Sequence, residues 1–329
     1  MDPLTHAISG AALARALPRH RLPTAQWLLI VLLAMAPDAD YVLHYFSDTL
    51  YLTHHRGITH SLLMLPLWTW LIASLMPRSR ERYPVLPWLI GAALAMHILL
   101  DIATSFGTMI LAPFSDWRAS FDLVFIIDPI FTGLMLLPLL FGIFLKDRAR
   151  LLGLLSLALM GFYLALTLAS HHKALELARQ QQPAALSVAA LPLPFSPFHW
   201  QLIATYPGQY QRAAVNLLPG FTGTESLFPE RFRKRFMPPL QSPDKLQWQE
   251  LTSMSAVKLP AGMPGVAFYR WFARFPVLLE RDATHIEFGD LRFGAGVPGE
   301  VASFRLRLEL GEQPKAWLIW RDERKSPLD

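Results

Sequence analysis

The chain has 329 residues, is 53% hydrophobic and only 17% charged, and carries a formal net charge of +5. A soluble globule has about 25% charged residues, so this composition, with a mean hydropathy of +0.30, points to a membrane protein of about two domains. The absence of cysteine excludes disulfides and thiolate metal sites; any metal here uses His and Asp, and the basic excess sets membrane topology rather than nucleic-acid binding.

In chain order, residues 4–17 form a helical stretch rich in small residues, led by Asp2-Pro3 as a helix start. Apolar segments come next at 25–36 (continuing through Pro37-Asp38-Ala39-Asp40 into 41–46), 61–76, 86–100, 123–145 and 151–169. They predict an α-helical transmembrane bundle of five or six spans. No basic leader precedes the first helix, which is expected to stay in place. Dense basic loops at 15–21, 78–82 and 146–150 alternate with loops at 47–59 and 112–122 that carry one arginine each. The positive-inside rule puts the dense loops in the cytoplasm. It puts the second half of the chain on the outer, periplasmic side.

From about residue 174 the texture changes. Three parts are expected: a helical membrane domain over 1–173, a helical linker over 174–190, and a β-rich soluble domain over 191–329. Strand-like runs lie at 200–206, 210–217, 266–275, 285–293 and 316–320, and residues 302–310 alternate apolar and polar without a break. The basic run 231–235 reads as a solvated face.

Ionisable residues inside apolar segments are costly and mark function. His97 and Asp101 stand at i and i+4, on one helix face. His55-Arg56-Gly57-Ile58-Thr59-His60 places two histidines beside a chain break, with Thr59 able to cap a helix beginning at His60 and Arg56 able to hold an anionic group. Asp38 and Asp40 follow the proline break at Pro37; two apart, they face differently, so one is a ligand or a bridge between two metals and the other an orienting partner of a ligand or a general base. Asp2 and His6 repeat the acid–histidine spacing. His6 reaches the others only if the 4–17 helix inserts, and at 1.5 Å per residue that helix covers about 21 Å. Asp122 and Asp128 are lesser candidates.

The run MDPLTHAISG, PDAD, HHRGITHS, HILLD, SFGT, PFSDWR and DLVFIIDP resembles the YdjM-type family of bacterial inner-membrane, metal-dependent hydrolases, described as LexA-binding. The likeness covers roughly residues 1–170. A fainter likeness is to the zinc-dependent phospholipase C and nuclease group, which shares the H-x-x-x-D pair at His97 and Asp101. The later H-x-x-x-E pair of that group is missing, which implies one or two ions rather than three.

The expectation is therefore a multi-pass inner-membrane hydrolase. A divalent metal, zinc by its ligand types, is held by His6, Asp38, His55, His60, His97 and Asp101. Asp40 accepts a proton and Arg56 stabilises charge. Membrane lipids are the expected partners and a lipid or envelope-derived phosphoester the expected substrate. LexA enters only through the resemblance and conflicts with an outward C-terminal domain. The alternatives are a transporter, against which stands the lack of inverted repeats, and a regulatory membrane protein without catalysis.

Overall fold

The computed structural model describes residues 1–18, 21–220, 230, 238–259, 262–294, 302–311 and 314–328. Arg19 and the basic run 231–235 lie outside them. The chain divides into two compact units, Met1–Leu168 and Ala169–Asp329.

Unit 1 is helical. Helix α1 (Pro3–Ala16) starts where Asp2 accepts a hydrogen bond from the Thr5 backbone N–H, with Pro3 in the first turn. Helix α2 (Thr24–Leu33) packs closely on it: a Cβ on Gly10 would come within 2.6 Å of the Ala34 Cβ. A 3₁₀ segment (Ala36–Tyr45) comes next, then α3 (Asp48–His54), a short 3₁₀ turn (Ile58–His60), α4 (Leu65–Ser74), α5 (Pro77–Arg82) and α6 (Leu86–Ile102). Leu13, Ile30, Leu86, Leu89, Ile90 and Ala93 fill one core between α1, α2 and α6. A largely irregular stretch then leads to Asp128, whose side chain caps α7 (Pro129–Phe144) by accepting from the Ile130 and Phe131 N–H groups. Helix α8 (Ala149–Gln181) completes the helical elements of this part of the chain. Ile8, Leu100, Phe131, Met135 and Tyr163 form the second core of the unit.

The expected five or six spans do not form. Among the described residues one helix, Lys146–Gln181, is long and apolar enough to cross a membrane, and three do so at most if each bent pair counts as one span. Residues Thr24–Leu33 and Ala36–Tyr45 are bent by 54°, and Asp48–His60 and Leu65–Ser74 by 74°. Helices α6 and α7, at 17 and 16 residues, fall short of the ~20 needed for a straight span. Hydropathy sums composition and does not register where a helix breaks; the run 25–46 read as continuous, yet it breaks between Leu33 and Ala36. With one to three spans, the outer placement of the second unit no longer follows from counting five. The exterior of unit 1 is nonetheless apolar: Trp88, Phe144, Phe114 and Leu75 are each more than four-fifths exposed, as expected of a lipid-facing surface.

Unit 2 begins inside α8, not at a linker. Ala174 and Ala178 pack with Trp200, Leu202 and Val215. Strands β1 (Ser187–Pro192), β2 (His199–Tyr206), β3 (Gln209–Asn216) and β4 (Gln249–Thr252) form one antiparallel sheet in chain order. Strands β5 (Pro276–Arg281), β6 (His285–Asp290), β7 (Arg305–Glu309), β8 (Lys315–Ile319) and β9 (Lys325–Leu328) form a second antiparallel meander. In β7 the alternation is observed: Leu306 and Leu308 are buried and their neighbours are not. The run expected as a strand at 266–275 instead opens as helix α9 (Val266–Phe272). Its aromatic spacing is helical: the buried Tyr269 and Phe272, three apart, share the inward face.

Candidate metal centre

Four elements of unit 1 bring ionisable side chains to one buried point. The 3₁₀ segment after α2 supplies Asp38 and Asp40, the turn after α3 supplies His60, α6 supplies His97 and Asp101, and α1 supplies His6. His6, His60, His97 and Asp101 are fully buried, and Asp38 is 22% exposed.

One nitrogen or oxygen from each of Asp38, His60, His97 and Asp101 converges. The His60 and His97 Nε2 atoms are 3.0 Å apart. Asp38 Oδ1 lies 3.4 and 3.5 Å from them, and Asp101 Oδ2 3.1 and 3.5 Å. A tetrahedral ion with bonds of about 2.0–2.1 Å needs ligand atoms about 3.4 Å apart, so the spacing fits.

The hydrogen-bond pattern fits as well. His97 Nδ1 is 2.7 Å from the Ala34 carbonyl oxygen and therefore donates to it, which leaves Nε2 as a lone pair in the neutral ring. Thr59 Oγ1 donates to Asp40 Oδ2 at 3.0 Å and stands 2.9 Å from His60 Nδ1. That hydroxyl accepts from Nδ1–H, so the His60 Nε2 is also bare. Two imidazole lone pairs and two carboxylate oxygens thus face each other, and Asp101 Oδ2 has no well-aligned hydrogen-bond donor. Two bare imidazole nitrogens at that distance repel unless a metal ion or a proton lies between them.

A second group surrounds the first. Asp38, Asp40 and His55 also offer ligand atoms within one ion's reach. Asp40, however, is heavily engaged: it takes the Arg56 backbone N–H at 3.0 Å, the Thr59 hydroxyl, and His55 Nδ1 at 2.8 Å. Arg56 adopts φ 61°, and its buried side chain reaches Asp101 Oδ1 at 3.0 Å, the Asp101 carbonyl at 3.3 Å and Thr104 Oγ1 at 3.0 Å. The guanidinium balances Asp101 and lies over the Phe106 ring. The Met1 amino nitrogen pairs with the same Asp101 oxygen. His6 stacks on His97 with ring centroids 3.7 Å apart, and its Nε2 lies 3.3 Å from Asp101 Oδ1.

The eight residues singled out in the sequence therefore lie around one point, in different roles. Asp38, His60, His97 and Asp101 form the inner set; His6 packs against its edge; Asp40, His55 and Arg56 surround it. Asp2 caps α1, and Asp128 caps α7 while accepting from Tyr163 at 2.6 Å. Asp122 is buried in the irregular stretch before α7. None of these three is among the converging ligands. Thr59 does not cap a helix: Ser61 takes the Leu63 and Met64 N–H groups instead. Thr104 and the Ala34 carbonyl escaped the sequence reading, and Thr59 was read there as a helix cap, because their role is defined only by what they touch.

Compared with known proteins, residues 1–174 match the YdjM inner membrane protein family. Over 138 residues the chain is 29% identical to the uncharacterized protein YfhP of Bacillus subtilis (strain 168), covering 39% of this chain and 42% of that one. The chain thus spans less than half the length of this curated relative. No solved structure matches it. The matched region contains every residue of the cluster and more than half of the sequence, so the chain belongs to the YdjM family of inner membrane proteins.

Proposed function

We propose that unit 1 is a membrane-embedded, metal-dependent hydrolase acting on a phosphoester at the membrane surface, a lipid or an envelope-derived compound. The observation that carries the reading is the set of four convergent ligand atoms of Asp38, His60, His97 and Asp101. Two imidazoles and two carboxylates suit zinc. A divalent ion bound there supplies Lewis acidity and makes hydroxide available near neutral pH.

The chain's own residues do the rest. The Ala34 carbonyl and Thr59 fix the tautomers of His97 and His60. Arg56 neutralises Asp101 instead of facing a substrate. Its role in this reading is to keep a buried carboxylate ionised. Asp40 holds His55 by Nδ1, and His55 remains at the margin of the cluster, with its ring centroid 6.0 Å from that of His60. We assign proton acceptance to His55, oriented by Asp40. Asp38, the partly exposed member, marks the side from which substrate enters. A second ion held by Asp38, Asp40 and His55 is the other filling of the same residues; a metal stoichiometry of two would replace the proton-acceptor role of His55 with a ligand role.

The test is elemental analysis of detergent-purified full chain together with hydrolysis of a phosphodiester probe. The expected result is about one zinc per chain and activity lost with chelator and in His97→Ala. Metal-free protein that hydrolyses the probe equally well in chelator would sink the proposal.

A further inference from the structure

Unit 1 also carries a concavity lined by basic residues, away from the metal centre along α1. His6 and Arg15 lie about 14 Å apart along the helix axis. Arg15 borders a cavity of about 570 Å³ that is also lined by Arg21, Trp27, Lys146, Asp147 and Arg150. Four cations face one carboxylate. Among the described residues none of the four pairs with an acid, Asp147 included.

The cavity is constructed around Arg15. Its Nη1 donates to the Leu139 carbonyl oxygen at 2.7 Å, and its guanidinium lies 5.8 Å from the Trp27 ring centroid. Two glycines make the room: a Cβ on Gly142 would come within 2.8 Å of Arg15 Nη1, and one on Gly153 within 2.9 Å of the Arg15 Cβ. Arg150 Nε donates to the Ala16 carbonyl at the end of α1, at 3.2 Å. Each arginine thus spends one of its five N–H groups on holding position. Arg21 and Lys146 are exposed and uncommitted.

The surroundings select the ligand. Lys146 opens the 3₁₀ turn that runs into α8, and together they make, among the described residues, the one helical stretch long and apolar enough to cross a membrane. The cations therefore sit at an end of its apolar length, the level of lipid phosphates in a bilayer. Ile143 and Phe144 beside them are 51% and 82% exposed. A free anion has no use for that apolar border; an acyl chain does. Basic pockets between membrane helices are suited to acidic headgroups.

We propose that this cavity binds the phosphate of an acidic phospholipid, independently of the metal centre. The experiment uses delipidated full chain in detergent, titrated with phosphatidylglycerol or phosphatidylcholine and read by native mass spectrometry. Phosphatidylglycerol should bind about tenfold or more tighter, and the double variant R21Q/K146Q should weaken it about thirtyfold. R21K should retain binding, and an unchanged near-ultraviolet circular dichroism spectrum establishes that the double variant is folded. Millimolar inorganic phosphate should not displace the lipid. Equal binding of the two lipids, or undiminished binding by the folded double variant, overturns the site. Displacement by inorganic phosphate overturns the lipid assignment in favour of a soluble phosphate.

Discussion

Two groups of acid and histidine in this chain offer the same ligand types at the same reach, in opposite surroundings. Asp38, His60, His97 and Asp101 in unit 1 are buried or nearly so; Glu280, Asp282 and His285 in unit 2 lie around the exposed turn between β5 and β6. The exposed group has a local explanation. Asp282 accepts from the His285 and Thr284 N–H groups and the Thr284 hydroxyl, which shapes the turn. Those bonds, the His285 N–H first, hold its carboxyl down at about 2. The buried group has no such local reason. Its members come from three distant segments and are taken out of water together, at a cost that only a compensating charge offsets. Burial and convergence, not residue type, separate a candidate site from a polar turn.

Asp101 tests that contrast hardest. Asp101→Ala leaves the buried Arg56 without its carboxylate, and breaking a buried pair costs about 3–5 kcal/mol. The variant is expected to lose most of its thermal stability in detergent as well as its metal. A melting temperature within a few degrees of wild type would mean that the cluster is not dry. His60→Ala and His97→Ala should each reduce bound zinc to background in elemental analysis, whereas His285→Ala should leave it unchanged. If His285→Ala lowered the metal content, the distinction drawn from burial would fail.

Smaller effects sharpen the comparison. Thr59→Val keeps the shape but removes the hydroxyl between Asp40 and His60 Nδ1. Partners of metal-bound histidines typically contribute about 10–100-fold in affinity, so competition with a zinc chelator should show a loss in that range. The mildest effect belongs to the exposed turn. Asp282 has its carboxyl lowered from 3.8 to about 2. Its contribution to the fold is therefore complete above 3.8 and lost as pH falls through about 2. A ¹³C carboxyl titration should find this midpoint, and Asp282→Asn should erase it without touching the metal content.

Much of this was open to a reader of the sequence, for reasons that differ by element. The His97–Asp101 pair could be read because helical spacing fixes which face both occupy. In the sequence His6 was tied to the others by a single condition, insertion of its helix; in the structure the packing of α1 against α2, α6 and α7 is what brings His6 to them. The span count could not be read. Bends of 54° and 74° separate consecutive helices, and hydropathy summed along the chain does not register a change of helix direction. The strand expected at 266–275 failed similarly: Gly265, at φ 68°, starts a helix whose aromatic residues are as apolar as those of a strand.

The sequence by itself determined the chemistry available: no thiolates, histidine and aspartate inside apolar segments, and a cluster of basic residues around 146–150. Those features come from composition and short-range spacing, which survive any arrangement of the helices. Only the tertiary structure decided how they are used. It made Asp40 an orienting acceptor and Arg56 the counter-charge of Asp101, because both assignments depend on contacts between segments far apart in the chain. It also brought Arg15 and Arg21 to the same cavity as Lys146 and Arg150, which required α1, α7 and α8 to meet at glycines too small to keep them apart.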